Sequence, residues 1–431
     1  VTAPAENQTR SPHPGISFRE FVTMMAALMA VNALGIDTML PALPAIAADF
    51  GVTIENHQQW IVAFYAAGFG IAQLFFGPIA DHFGRRRVLI SAMIVYGGMC
   101  FAAAQAASFP VLLAARFLQG LGAASTRVLS VSIIRDCYSG RRMARVMSLV
   151  FMVFLSVPVM APSIGQLIML VAPWHWIFYG LGLFALSIAI WSGIRLPETL
   201  EPARRRPVRL KSIGQALVMT ATNRNSLGYT LAMSCMFGAM MGFLNSSQQI
   251  FADVFDRPAL FPLVFAGIAG SMALASLINS RIVERFGSRR VSHTALLGVI
   301  ATATAHVLII LAGKDTLVTF CVLQTLTMFF FGLTGSNFGA MAMEEMSEIA
   351  GSAASVQGFV STLGGAGIGL LIGQSFNGTT LPLVLGFAAT SCVALMIVFL
   401  TERGRLFRAH HVRPMDIAQS EPEPLRARRN Q

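Results

Sequence analysis

The sequence predicts an all-α polytopic membrane protein with twelve transmembrane helices in two six-helix pseudo-repeats. Three observations carry that prediction. Of the 431 residues, 55% are hydrophobic and only 12% are charged, against about 25% charged in an average soluble protein. Apolar runs of about 20 residues, each long enough to cross a bilayer as a helix, recur from end to end. A charged turn also occurs twice, half a chain apart: Gly77-Pro78-Ile79-Ala80-Asp81-His82-Phe83-Gly84-Arg85-Arg86-Arg87 and Ser280-Arg281-Ile282-Val283-Glu284-Arg285-Phe286-Gly287-Ser288-Arg289-Arg290. The acid, the Phe-Gly pair and the following arginines share one offset. Each copy sits where one run ends and the next begins.

The runs fall at 20–43, 59–79, 88–107, 110–134, 144–171 and 176–195, then at 224–250, 260–280, 291–313, 316–342, 352–374 and 380–401. A polar segment separates the sixth from the seventh. The expected layout is a tail at 1–18, a bundle at 19–195, a linker at 196–223, a second bundle at 224–401 and a tail at 402–431. Basic residues crowd alternate loops: Arg85–Arg87, then Arg135 to Arg145, then Arg204 to Lys211, then Arg281 to Arg290. The intervening loops hold little beyond Arg257 and Lys314. That asymmetry places the basic loops and both termini in the cytoplasm. Glu344, Glu345 and Glu348 form one inner loop without basic neighbours, and acids weigh little in the rule.

Composition also sets several classes aside. The net charge of +11 follows membrane topology rather than one basic face, so no nucleic acid is expected. The polar start and long first run do not read as a cleavable signal. Five cysteines lie in or beside apolar runs without pairing or metal spacing, and neither disulfide nor metal is expected. Gly364-Gly365-Ala366-Gly367-Ile368-Gly369 follows no strand and precedes no Gly-Lys-Ser/Thr, so it reads as helix contact rather than a phosphate loop. Short loops leave no room for a soluble catalytic domain, and the chain is not expected to be an enzyme.

In the repeated turn, Gly77 and Gly84 permit tight geometry and Arg85, Arg86 and Arg87 stay at the cytoplasmic face. Asp81 is expected to pair with a base at the end of the fourth run, such as Arg135, or to sit against a neighbouring helix N-terminus. Glu284 and Arg289 are the matching gate residues of the second half. This pattern resembles the signature of the major facilitator superfamily. Further stretches resemble its bacterial drug:proton antiporters: Ile36-Asp37-Thr38-Met39-Leu40-Pro41-Ala42-Leu43-Pro44, Arg116-Phe117-Leu118-Gln119-Gly120-Leu121-Gly122-Ala123-Ala124 with Arg135-Asp136, Val157-Pro158-Val159-Met160-Ala161-Pro162-Ser163-Ile164-Gly165-Gln166, and Asn279-Ser280-Arg281. Together they resemble the bicyclomycin/chloramphenicol-resistance (Bcr/CflA-like) branch over about 20–401. The resemblance implies two halves rocking about a mid-membrane site. It also implies drug export in exchange for protons, driven by the proton gradient without a cofactor.

Asp37 is the one acid well inside an apolar run of the first half, and a charge there is costly enough to mark function. By helical rise it lies about 9 Å outward of its run's centre, as does Arg116 in the fourth run. The two are therefore expected to meet across a cavity. A carboxylate near an arginine stays ionised and one in low dielectric takes up a proton, so alternation would couple proton and cargo. The resemblance implies proton coupling for Arg116. Arg127, three turns on, shares its face and either lines the cavity or snorkels. In the fifth run, Pro158, Pro162 and Gly165 remain where Ala161 and Gln166 replace the family's glycines, so a bent, closely packed helix is expected. Asn32, Gln119, Asn245, Gln248 and Asn337 are the further cavity candidates, and Gln73, Gln249, His306 and Gln324 are polar at similar depth. The expected partners are a small amphipathic drug-like cargo, protons and the lipid bilayer of the bacterial inner membrane, with the chain a monomer. A metabolite or siderophore exporter, a proton symporter or a non-cycling sensor of the same fold are the other readings.

Overall fold

The computed structural model describes residues 15–205, 207, 210–346 and 349–407. Glu348, Arg206, Arg209 and the tail from residue 408 lie outside the described residues. Among the described residues, twelve helical segments are long and apolar enough to cross a membrane. The first half comprises α1 (Phe18–Asp37) with a short continuation α2 (Leu43–Asp49), then α3 (Trp60–Phe83), α4 (Arg85–Ala104), α5 (Phe109–Cys137), α6 (Gly140–Val171) and α7 (His175–Arg195). After α8 (Leu210–Thr222) the second half comprises α9 (Arg224–Gln249), α10 (Phe261–Phe286), α11 (Ser288–Leu311), α12 (Leu317–Gly332) with α13 (Gly335–Met343), α14 (Ala350–Gln374) and α15 (Leu381–Thr401).

Local chemistry sets the ends. The Ser17 hydroxyl accepts the Glu20 N–H at 3.2 Å and opens α1. The Asn223 side chain accepts the Ser226 N–H at 2.8 Å and opens α9. Pro41 ends α1: it lacks the N–H that would bond the Asp37 carbonyl, and its ring crowds that carbonyl. The chain turns through Leu40–Ala42 and resumes as α2. The α3–α4 and α10–α11 turns pivot on Gly84 and Gly287, with φ of +98° and +82°, conformations that strain any residue with a Cβ.

Small residues then let helices touch. A Cβ on Gly68 would overlap the Phe117 carbonyl, and one on Gly120 the Tyr65 carbonyl, so α3 and α5 meet backbone to backbone. Gly369 of α14 sits likewise against Met241 and Gly242 of α9. Between the halves, α3 runs along α14 and α6 along α10. Leucines and valines such as Leu170, Leu263, Leu371 and Val171 face outward, fully suited to lipid.

Three features depart from the expected runs. The first continues beyond its break as α2, and the run at 316–342 is two helices that part at Leu333–Thr334. The linker contains α8, whose Ile213 and Ala216 pack with Leu74 of α3 and Val356 of α14. The stretch is apolar but too short to cross a bilayer, and it adjoins the polar linker residues, so reading by span length passes over it.

Candidate functional site: a carboxylate at the break in α1

Asp37 is the last residue of α1 and only 5% exposed. Its side chain forms no hydrogen bond or ion pair among the described residues. Beside it, Thr38 continues the bonding pattern to Leu34 at 3.2 Å while its hydroxyl is buried without a partner. Helix α6 runs uninterrupted through Pro158 and Pro162 and brings Gly165 onto this break. A Cβ on Gly165 would overlap the Thr38 carbonyl. The antiporter-like glycine therefore lets α6 press against the residue next to Asp37.

Arg116 does not meet Asp37, contrary to the expectation from depth. It is fully buried inside the first half, with Nε donating to the Ile61 carbonyl at 3.2 Å and Nη1 to Gln119 Oε1 at 2.6 Å. Its guanidinium lies 4.4 Å from the Tyr65 ring centre and 5.7 Å from that of Phe178, which offsets part of the cost of a buried cation. Nη2 has no partner. Its link to α1 is indirect: the Tyr65 hydroxyl donates to Asn32 Oδ1 at 3.1 Å. Equal depth on two helices says nothing about azimuth, and α5 turns Arg116 toward α3 and α7 instead. Arg127 is exposed at mid-span of α5 and unpaired among the described residues.

The other cavity candidates divide. Gln119 is committed to Arg116 and to the Cys100 sulfur, and Asn337 donates to Asn279 Oδ1 and the Leu333 carbonyl, both at 2.8 Å. Both are packing bonds rather than free cavity groups, and Asn337 satisfies the carbonyl exposed at the α12–α13 break. Asn245 donates to the Gly369 carbonyl at 3.1 Å and leaves Oδ1 unpartnered. Ser246 Oγ, Ser247 Oγ and Gln248 Oε1 are likewise buried and unpartnered. Such groups are costly in a dry interior, and Asn245 and Gln248, three residues apart on one face of α9, suit a site where a polar cargo or water supplies the bonds.

The end opposite the basic loops is closed by amides. Gln59 Nε2 donates to Gln249 Oε1 at 2.7 Å and to the Gly373 carbonyl at 3.0 Å. Gln249 Nε2 donates to Asn56 Oδ1 at 2.9 Å, Asn56 Nδ2 to the Phe376 carbonyl at 2.9 Å, and Gln374 Nε2 to the Asn56 carbonyl at 2.8 Å. Together with Gln73–Thr362 at 3.0 Å in mid-span, these join the halves. Among the described residues no hydrogen bond or ion pair joins them at the basic end. Sequence reading placed Gln249 among polar depth residues but missed Asn56, Gln59 and Gln374, which look like ordinary loop polars.

At the basic end Asp81 pairs with Arg85 at 2.6 Å, and Arg85 Nε reaches Asp136 at 3.2 Å. The expected Asp81–Arg135 pair is not made: Arg135 is exposed, and Arg85, across the Gly84 turn from Asp81, takes its place. Glu198 accepts the Arg85 N–H at 2.8 Å beneath Gly84, and Arg86 bonds the Gly193 carbonyl. Gly77 lies in α3 opposite Ser355 of α14. In the second half Ser288 stands where Arg85 stands in the first, so Glu284 has no matching cation across the Gly287 turn and is exposed without an ion pair among the described residues. Arg289 instead binds Glu344 at 2.8 Å and Glu402 at 2.7 Å.

Glu402 was not singled out in the sequence. It is 5% exposed and also accepts the Tyr229 hydroxyl at 2.5 Å, and that hydroxyl lies 3.3 Å from His293 Nε2. The available signal was positional: Glu198 and Glu402 each close the last run of a half. Replacing one acceptor of a charged, buried bond costs about 1.5–3 kcal/mol. Glu402→Gln should therefore lower the detergent melting temperature measurably, while Glu284→Gln leaves it unchanged. Equal melting of both variants would remove Glu402 from this network.

This arrangement of two six-helix halves with a repeated basic turn and a carboxylate at a broken first helix defines a secondary-transporter architecture. Residues 25–369 match the Major Facilitator Superfamily model, and the chain belongs to that family. It is similar to the bicyclomycin resistance protein homolog of Haemophilus influenzae, with 31% identity over 89% of this chain and 96% of the relative. It is also similar to the multidrug resistance protein MdtL of Salmonella heidelberg, with 29% identity over 92% and 98% respectively. The solved D-xylose-proton symporter shares its fold, with a TM-score of 0.72 at 13% identity over 90% of this chain and 98% of that one. The human organic anion transporter MFSD10 gives 0.65 at 20% identity over 89% and 99%.

Proposed function

We propose that this chain exports small amphipathic compounds in exchange for protons by alternating access, in the bacterial cytoplasmic membrane with both termini and the basic loops inside. The observation that carries this reading is Asp37, buried and unpartnered at a helix break pressed by Gly165. Asp37 carries the proton, Arg116 fixes the α3–α5 core of the same half, and the unpartnered amide oxygens of Asn245 and Gln248, on one face of α9, bind cargo. The relatives' names support a drug-like cargo. A single central acid in a half that also buries Arg116 favours neutral or weakly acidic compounds such as bicyclomycin. The proton gradient supplies the energy, no cofactor takes part, and one chain suffices. The amide cluster then closes the periplasmic gate, and the Asp81–Arg85–Asp136 and Arg289–Glu344–Glu402 groups shape the cytoplasmic gate. Cells producing the chain should tolerate more bicyclomycin or another compound of a drug panel than cells without it. No change for any compound, with the protein present in the membrane, would contradict export.

The gate assignment makes its own prediction. Each neutral hydrogen bond contributes about 1 kcal/mol, and Gln59→Leu with Gln249→Leu removes the Gln59–Gln249, Gln59–Gly373, Gln249–Asn56 and Gln374–Gln59 bonds, so closure should weaken by about 3–4 kcal/mol, more than a hundredfold in the ratio of states. Spin labels on cysteines at Ile54 and Asn377, exposed on the two halves, should report a longer distance in that variant. An unchanged distribution would show that the amides do not hold the gate.

A further inference from the structure

A cavity of about 450 Å³ opens on the flank of the first half, where α3 and α4 diverge from their shared turn over α5. Phe76 and Ile79 of α3, Val88 and Val95 of α4 and Leu121 of α5 make its walls. At the basic rim it ends on Phe83 and Arg87. The same two residues border a second cavity of about 430 Å³, completed by His82, Arg205 and Pro207. Sharing two residues, the cavities form one trough that is apolar at membrane depth and cationic at its mouth.

The charges at that mouth are available. Arg85 is committed to Asp81 and Asp136, and Arg86 to the Gly193 carbonyl. Arg87 and Arg205 are exposed, and their side chains have no hydrogen bond or ion pair among the described residues. The nearby carboxylates are occupied, Asp81 by Arg85 and Glu198 by the N–H groups of Arg85 and Leu200. From Arg87 to Val95 the wall of α4 runs about 12 Å, close to the hydrocarbon depth of one leaflet, about 15 Å.

We infer that this trough holds an anionic glycerophospholipid of the inner leaflet, with one acyl chain along Phe76, Ile79 and Val95 and the headgroup phosphate between Arg87 and Arg205. The leaflet assignment rests on the orientation proposed above; the binding does not. A cationic mouth selects for net headgroup charge, and the apolar wall excludes a bare anion as sufficient ligand. Bound lipid would sit on the outer side of the α3–α4 turn and tie the cytoplasmic gate to membrane composition.

Native mass spectrometry of the purified full chain tests this with dioleoyl phosphatidylglycerol, dioleoyl phosphatidylcholine and inorganic phosphate as probes. The expected result is severalfold more retained phosphatidylglycerol than phosphatidylcholine at equal concentration, with no displacement by phosphate. Arg87→Gln with Arg205→Gln, both surface changes, should bring the two lipids level. Ser91→Trp, which fills the trough, should reduce both. Equal retention by the parent chain, an unaffected double variant, or displacement of the lipid by phosphate or by bicyclomycin would each overturn the site. Orientation is read separately, by labelling Pro207→Cys in whole cells with an impermeant maleimide. Protection supports the inner leaflet. Labelling would overturn the leaflet assignment and the proposed topology while leaving the lipid selectivity to stand.

Discussion

Asp37→Asn should abolish drug accumulation driven by a pH gradient in everted vesicles while leaving drug binding and downhill equilibration in place. For one-for-one exchange each pH unit is worth about 1.4 kcal/mol, a tenfold concentration ratio. A gradient of two units sustains roughly a hundredfold ratio in the parent, and the variant should fall to a ratio near one. The reason is local. Asparagine keeps the size and polarity of a side chain that is 5% exposed, and it removes only the capacity to gain and lose a proton. Arg116→Lys should behave differently. It disturbs the stacking on Tyr65 and the bonds to the Ile61 carbonyl and Gln119, so stability and transport should fall together. Accumulation by Asp37→Asn at the parent level would remove Asp37 from coupling.

Gly165→Ala should cost about 1–3 kcal/mol through overpacking, and transport should fall with it. The added Cβ meets a backbone carbonyl, that of Thr38, which no rotamer change can move aside. Relief requires α6 to separate from the break beside Asp37. Gly180 of α7 is the control: nothing lies within 4 Å of a Cβ placed there, so Gly180→Ala should stabilise by about 1 kcal/mol through helix propensity. Melting of both variants in one detergent checks the contrast. Equal effects would mean that the α1–α6 contact is not tight.

The spans were legible because a bilayer forces length and hydropathy on each helix, and the repeated turn survives as letters. Asp37 stood out for the same reason, since a carboxylate at membrane depth is expensive. What resisted reading was direction around the helix axis. Arg116 and Asp37 match in depth, but α5 buries Arg116 among Tyr65, Gln119 and Phe178. Asn337 looked like a cavity residue and instead mends the carbonyl left free by the α12–α13 break. The amides of the closed end carry no charge and lie beside loops, so nothing in the sequence separates Asn56 and Gln59 from ordinary polar residues until Gln249 and Gln374 are seen against them. Glu402 was hidden at the edge of the last run, where an acid usually faces water.

The most direct test of proton exchange at Asp37 is a proton count on cargo binding. Purified protein in weakly buffered detergent solution, mixed with saturating bicyclomycin or another compound it exports, should release close to one proton per chain. Asp37→Asn should bind the same compound and release none. Release of the same amount by both proteins would place the exchanging group elsewhere and contradict this account.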